Sequence, residues 1–190
     1  FGSAYGDAMH MNFITIFSLM LLQTEYRHRG WIGVAAAIFA VLSLVKFTNL
    51  MLCLVVVAVL AGCFVAMRRR HDALLLAGGF LGSFLFGWVA CGQGIGNLPA
   101  FFHYGMELST GYVGAMGVYE STTTFVLGLS AAACIAVYAG LHFFSNPDRI
   151  RAAGSIAIIG AVIFLNWKHG FVRADGHVLG HFVMVLLVVC

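Results

Sequence analysis

The stretch from Trp31 to Met67 reads WIGVAAAIFAVLSLVKFTNLMLCLVVVAVLAGCFVAM. It is 37 residues long and almost wholly apolar. As a single helix it would extend ~55 Å, against a bilayer hydrocarbon core of ~30 Å. It must therefore fold back on itself. The polar break Lys46-Phe47-Thr48-Asn49 is where the turn is expected, leaving two antiparallel spans, Trp31–Val45 and Leu50–Met67.

The same pattern continues on both sides. Met11–Gln23 precedes the hairpin, and Arg68-Arg69-Arg70-His71-Asp72 closes it. Ala73–Ala90, Thr122–Phe144 and Ala152–Trp167 are further spans, and Val178 begins a last one. The prediction is an all-α, polytopic transmembrane helix bundle with about seven helices, the last truncated, forming one region over residues 1–190. Val178–Cys190 has 13 residues, short of the ~20 that a spanning helix needs. The chain also starts at Phe1. Both ends lead us to expect a fragment whose missing remainder would complete the protein.

Composition supports this class. The chain is 62% hydrophobic and 9% charged, with mean hydropathy +0.98. An ordinary soluble domain carries about 25% charged residues, so a soluble monomer is excluded. Disorder is excluded too, since it needs low hydrophobicity and high charge. The net charge of +3, with no basic cluster alternating with aromatics, gives no footprint for nucleic acid. The expected partner is the lipid bilayer. Five cysteines show no CxxC and no Cys–His zinc spacing, so no disulfide framework, structural metal or cofactor is expected.

Short loops rich in Lys and Arg face the cytoplasm. Alternation of the spans places Arg27, Arg29, Arg68, Arg69, Arg70, Arg149 and Arg151 on one side and Lys46, Lys168 and Arg173 on the other, seven against three. The first group is assigned to the cytoplasm of a bacterial inner membrane. The two long connections, 91–121 and 168–177, then face outward, into the periplasm of a Gram-negative cell. Gly78 and Gly82 form a GxxxG pair, with Gly79 and Gly87 nearby, which suits close helix packing.

Four constellations could carry chemistry. Lys168–His177 packs Lys168, His169, Arg173, Asp175 and His177 into ten residues between two spans. Ionisable groups at membrane depth are costly and tend to be functional. Arg presents a planar fork to phosphate oxygens, and Asp175 or His177 could move a proton. The bland alternative is a solvated loop anchored at the interface beside Trp167. His177 and His181 share a helix face at i, i+4, but a lone pair is weak evidence for metal, and interface histidines are the simpler account. In the outer connection, Asn97 and Pro99 suit the start of an amphipathic helix over Leu98–Leu108. Its polar groups His103, Tyr104 and Glu107, with Tyr112 beyond, could hold a sugar or form an ordinary aromatic belt. Lys46 at the hairpin tip either snorkels to headgroups or holds an anionic group.

Lys168–His177, Ser43-Leu44-Val45-Lys46-Phe47-Thr48 and Gly111-Tyr112 with Ala115-Met116 resemble patterns in a group of large, uncharacterised, polytopic bacterial membrane proteins. That likeness would cover roughly residues 40–185 and implies no particular activity. In layout alone the chain is similar to O-antigen polymerases and ligases, which use outward basic residues to hold the diphosphate of a lipid-linked glycan. This likeness implies a role in cell-envelope glycan assembly. Arg173 and Lys168, with Lys46, would hold the diphosphate. Asp175 or His177 would act as the base, and Glu107, Tyr104, Tyr112 and His103 would line the substrate site. The rivals are a membrane transporter, whose charges usually sit near the midplane, and a His-ligated metal or redox enzyme.

Overall fold

The computed structural model describes residues 2–23, 29–116, 121–172 and 182, with side chains over 9–23, 29–111 and 121–168 and at 182. The described residues form α1 (Gly2–Gln23), α2 (Arg29–Val45), α3 (Phe47–Ala66), α4 (Arg70–Ala90), α5 (Leu98–Met116), α6 (Thr122–Ser145) and α7 (Arg149–Val172). A 3₁₀ turn over Ile95–Asn97 precedes α5, and no strand occurs among these residues. By length and composition, α3, α4, α6 and the stretch Arg149–Lys168 of α7 could each cross a membrane. Met9–Gln23 and Arg29–Val45 are shorter apolar helices. The chain is therefore an all-α bundle. The seventh expected span, from Val178, lies outside the described residues except for Phe182, and α5 takes its place among the seven.

The hairpin turns at one residue. Lys46 is extended, with φ −155° and ψ 141°, and its carbonyl accepts the Leu50 N–H at 3.1 Å. Phe47, Thr48 and Asn49 were expected in the turn but form the first turn of α3. The reason is where the Asn49 amide goes. It is fully buried, and its Nδ2 lies 3.4 Å from His10 Nδ1 on α1, so the amide nitrogen finds a partner inside the bundle.

The two helices joined through α3 run in the same direction and pack closely. Arg29 on α2 meets Asp72 on α4. A Cβ built at Gly79 would lie 3.1 Å from the Ala36 Cβ, and one at Gly87 would lie 2.5 Å from Leu44 Cδ1. The contact positions advance together by about two turns on each helix, which is the spacing of a parallel seam. Small residues allow this approach. The expected Gly78/Gly82 pair is not the contact, since a Cβ at either would meet nothing within 4 Å. α3 packs on α2, α4 and α7, α1 packs on α3 and α7, and α6 packs on α7.

Phe39, Leu52, Val56, Leu60, Phe64, Leu76 and Ile158 lie in the core. Large apolar side chains also cover the outside, among them Leu74, Leu81, Phe86, Leu141 and Phe144. A water-soluble monomer rarely exposes so much apolar surface, whereas a bilayer would cover it.

The α6–α7 connection is sharp. Asn146 is extended before Pro147, as the proline ring demands. Asp148 then caps α7, its carboxylate accepting the Arg151 N–H at 3.0 Å. At the far end α7 runs on to Val172. Lys168–His177 was expected to be a connection throughout, yet its first five residues continue the helix. Lys168 finds a partner on α5, so nothing at that point requires the helix to stop. α5 is likewise longer than the expected Leu98–Leu108, reaching Met116.

The alternation of these helices gives the bundle two polar ends. One carries Arg29, Arg68, Arg69, Arg70, Arg149 and Arg151. The other carries His10, Lys46, Asn49, α5 and Lys168.

Candidate functional site

The lysine end is built around α5, which lies across it. The buried side of α5 is Leu98, Phe101, Phe102, Gly105 and Ser109, at the i, i+3, i+4, i+7 spacing of one helix face. Phe47 stands edge-on to Phe101 and Phe102, with centroids at 5.7 and 6.2 Å. Trp88 meets Phe101 at 5.0 Å, and its indole N–H donates to the Gly94 carbonyl at 3.0 Å. Gly105 is required by this approach, because a Cβ there would lie 2.5 Å from the Phe47 ring.

Lys168 closes the other end of the same face. Its ammonium donates to the Ser109 carbonyl at 3.2 Å and to the Ser109 hydroxyl at 3.0 Å. These bonds tie α7 to α5. His103, Tyr104 and Glu107 occupy the opposite, exposed side of α5, with the His103 and Tyr104 rings 5.3 Å apart. The structure thus brings Lys168 to α5 but turns His103, Tyr104 and Glu107 away from it. Lys46 is half-buried at the α2–α3 corner. Tyr112 lies on α5, with its side chain outside the described part. Arg173, Asp175, His177 and His181 also lie outside the described residues. Among the described residues no group of three or more His, Cys, Asp or Glu is arranged to hold a metal ion.

A polar seam runs inward from this end. Asn49 is within reach of His10 on one amide atom, while its other amide atom, Oδ1, is buried without a hydrogen-bond partner. The Asn166 amide donates to the Val162 carbonyl at 3.1 Å and to Met11 Sδ at 3.4 Å. His10 and Met11 are neighbours on α1, so one segment touches polar groups of both α3 and α7. His10, Met11 and Asn166 belong to no motif in the sequence.

The arginine end holds a cluster that the sequence reading passed over. Arg69 donates through Nε to Asp72 Oδ2 at 2.8 Å, with side chains 5% and 1% exposed. Arg29 Nε stands 3.2 Å from Asp72 Oδ1, at ion-pair distance though out of line for a hydrogen bond. The Arg69 guanidinium also lies over the Phe64 ring at 4.6 Å, a favourable cation–π arrangement. A buried carboxylate is costly unless paired and hydrogen-bonded, and here two arginines pair it. The i, i+3 spacing of Arg69 and Asp72 is a signal that could have found it. Compared with protein-family models, curated proteins and solved structures, the chain matches none.

Proposed function

We propose that this chain is the membrane-embedded part of a cell-envelope glycan-assembly protein in a bacterial inner membrane. It would act as a polymerase, ligase or glycosyltransferase on a lipid-linked glycan. The arginine end faces the cytoplasm and the lysine end faces outward. One observation supports the site: Lys168 is held by Ser109, beneath a helix that lies across the lysine end. A fixed cation at that level suits the diphosphate of a lipid carrier. Lys168 also sits five residues before Arg173, so the proposed anion-binding and proton-transfer groups are close to it along the chain. Lys168 and Arg173 bind the diphosphate, and Asp175 or His177 takes the acceptor proton.

The test uses the full-length protein in its own cell. Lys168→Ala and Arg173→Ala are expected to shorten or abolish envelope glycan, with each variant at normal abundance in the membrane. Normal glycan with both variants at full abundance would refute the reading. A reporter fusion after Arg70 is expected to be cytoplasmic, and one after Ser121 to be outside.

Transport is the second reading, favoured by the polar seam of His10, Asn49 and Asn166. Polar groups inside a membrane bundle often mark a substrate path. Loss of function with Asn49→Leu, but not with Lys168→Ala or Arg173→Ala, would favour it.

A further inference from the structure

The α3–α4 corner is a strained turn made of arginines. α3 ends with the Arg69 N–H bonded to the Phe64 carbonyl at 2.7 Å and the Arg68 N–H bonded to the Val65 carbonyl at 3.0 Å. These two bonds form the Schellman stop, whose next-to-last residue adopts the left-handed conformation usually given to glycine. Here that residue is Arg68, with φ 64°, and no other described non-glycine residue has positive φ. Placing a side chain there costs free energy. Strain of this kind points to a use for the side chain.

The three arginines of the corner have different fates. Arg69 turns inward and is consumed by Asp72 and Phe64. Arg68 and Arg70 stay exposed, as does His71. Among the described residues no carboxylate lies within ion-pair distance of Arg68 or Arg70. Asp72 is already shared by Arg29 and Arg69. α4 then starts at Arg70 with no side-chain cap; the Asp72 and Ala73 N–H groups bond the Arg69 carbonyl, and the positive end of a helix dipole favours an anion. Trp31, exposed in the first turn of α2, is the kind of amphipathic ring that marks the headgroup level.

We infer that Arg68 and Arg70, with the uncapped start of α4, form a binding site for the phosphate of an anionic phospholipid in the leaflet at the arginine end. This rests on the membrane reading alone and is independent of any glycan chemistry at the other end. Arg68 and Arg70 are exposed while Arg69 is buried against Asp72, so the turn separates one structural arginine from two ligand-binding ones. Anionic headgroups attract exposed basic residues near the surface, each contributing about a fivefold change in binding.

The test measures thermal unfolding of the purified chain in detergent micelles titrated with phosphatidylglycerol or phosphatidylcholine. The wild type is expected to gain stability from phosphatidylglycerol alone. Arg68→Gly and Arg70→Gln should each raise the half-saturating phosphatidylglycerol concentration about fivefold. Arg151→Gln, which removes the same charge at the same end but from the Asp148 pair, should change it less than about twofold. Arg68→Gly also relieves the strain, so weaker lipid response in a protein of equal or higher basal stability cannot be ascribed to misfolding. Equal weakening by Arg151→Gln would overturn the site in favour of diffuse charge. Unchanged affinity in Arg68→Gly would overturn it outright. A stability gain from inorganic phosphate equal to that from phosphatidylglycerol would overturn the lipid as ligand.

Discussion

α3 and α4 end in the same way with opposite residues. At the end of α4 the Gln93 N–H bonds the Trp88 carbonyl and the Gly92 N–H bonds the Val89 carbonyl, at 3.2 and 2.9 Å. Gly92 takes the left-handed position at φ 79°. At the end of α3 Arg68 takes that position. The next residue also differs. A Schellman stop usually packs an apolar residue back on the helix. At α3 the equivalent contact is the Arg69 guanidinium over Phe64. One corner is thus built for ease of turning, the other around charge. The hydrogen bonds of a turn set where the chain reverses, and the side chains decide what the corner is for.

The sharpest way to break the contrast is to remove Asp72. Its loss removes the buried carboxylate that Arg69, 5% exposed, meets at 2.8 Å, and breaking a buried pair typically costs about 3–5 kcal/mol. Asp72→Ala is expected to lower the unfolding temperature in detergent more than any other single change at either corner. A small shift would mean that Arg69 finds water, and that the corner is not anchored by charge.

The parallel seam between α2 and α4 links the two corners and gives the next effect. Gly79→Val must push against Ala36, whose Cβ would stand 3.1 Å from the new side chain. Overpacking of this kind costs about 1–3 kcal/mol. Gly78→Val and Gly82→Val face open space and should be nearly silent in the same assay. Equal losses at all three positions would mean that the helices meet on another face.

This seam also shows what the sequence could and could not reveal. Helix count and the fold-back near Lys46 follow from hydropathy and its polar breaks, which are local. Which of the neighbouring residues Gly78 and Gly79 touches α2 is a rotational question, and α4 is apolar around its whole circumference. Asn49 was read as part of a turn because polarity normally marks a loop, and its partner His10 lies 39 residues away. Arg68–Asp72 reads in the sequence only as the close of the hairpin, although its members divide between the interior and the surface. The candidate site divides as well. Lys168 was singled out and does reach α5, but the helical phase that sets it against Ser109 also carries Glu107 and Tyr104 to the other side. The roles expected of Arg173, Asp175 and His177 stand on chemistry alone.

At the α4 corner, Gly92→Ala places a Cβ in the left-handed region. A cost of about 1–2 kcal/mol is expected, with no change in lipid response, because Gln93 and Gly94 carry no charge. The unfolding temperature and the phosphatidylglycerol titration check the two halves of this prediction separately.

The smallest effect has the opposite sign. Arg68→Gly relieves the left-handed strain, which alone would stabilise by about 1–2 kcal/mol. Two terms oppose it. The unfolded chain gains freedom at a glycine, worth about 0.4–1 kcal/mol. A cation is also lost from the negative end of α3, worth about 0.3–1 kcal/mol. These terms nearly cancel, leaving a gain of about 0.2 kcal/mol, so the unfolding temperature in lipid-free micelles is expected to stay within about one degree of the wild type. Sodium chloride separates the contributions, because it screens the helix-end charge and leaves backbone strain untouched. The advantage of Arg68→Gly should therefore grow with salt. If Arg68→Gly instead destabilises the chain, and does so more at low salt, the arginine is held at the turn by its charge on α3. The difference between the two corners would then be a matter of stability, with no ligand needed to explain it.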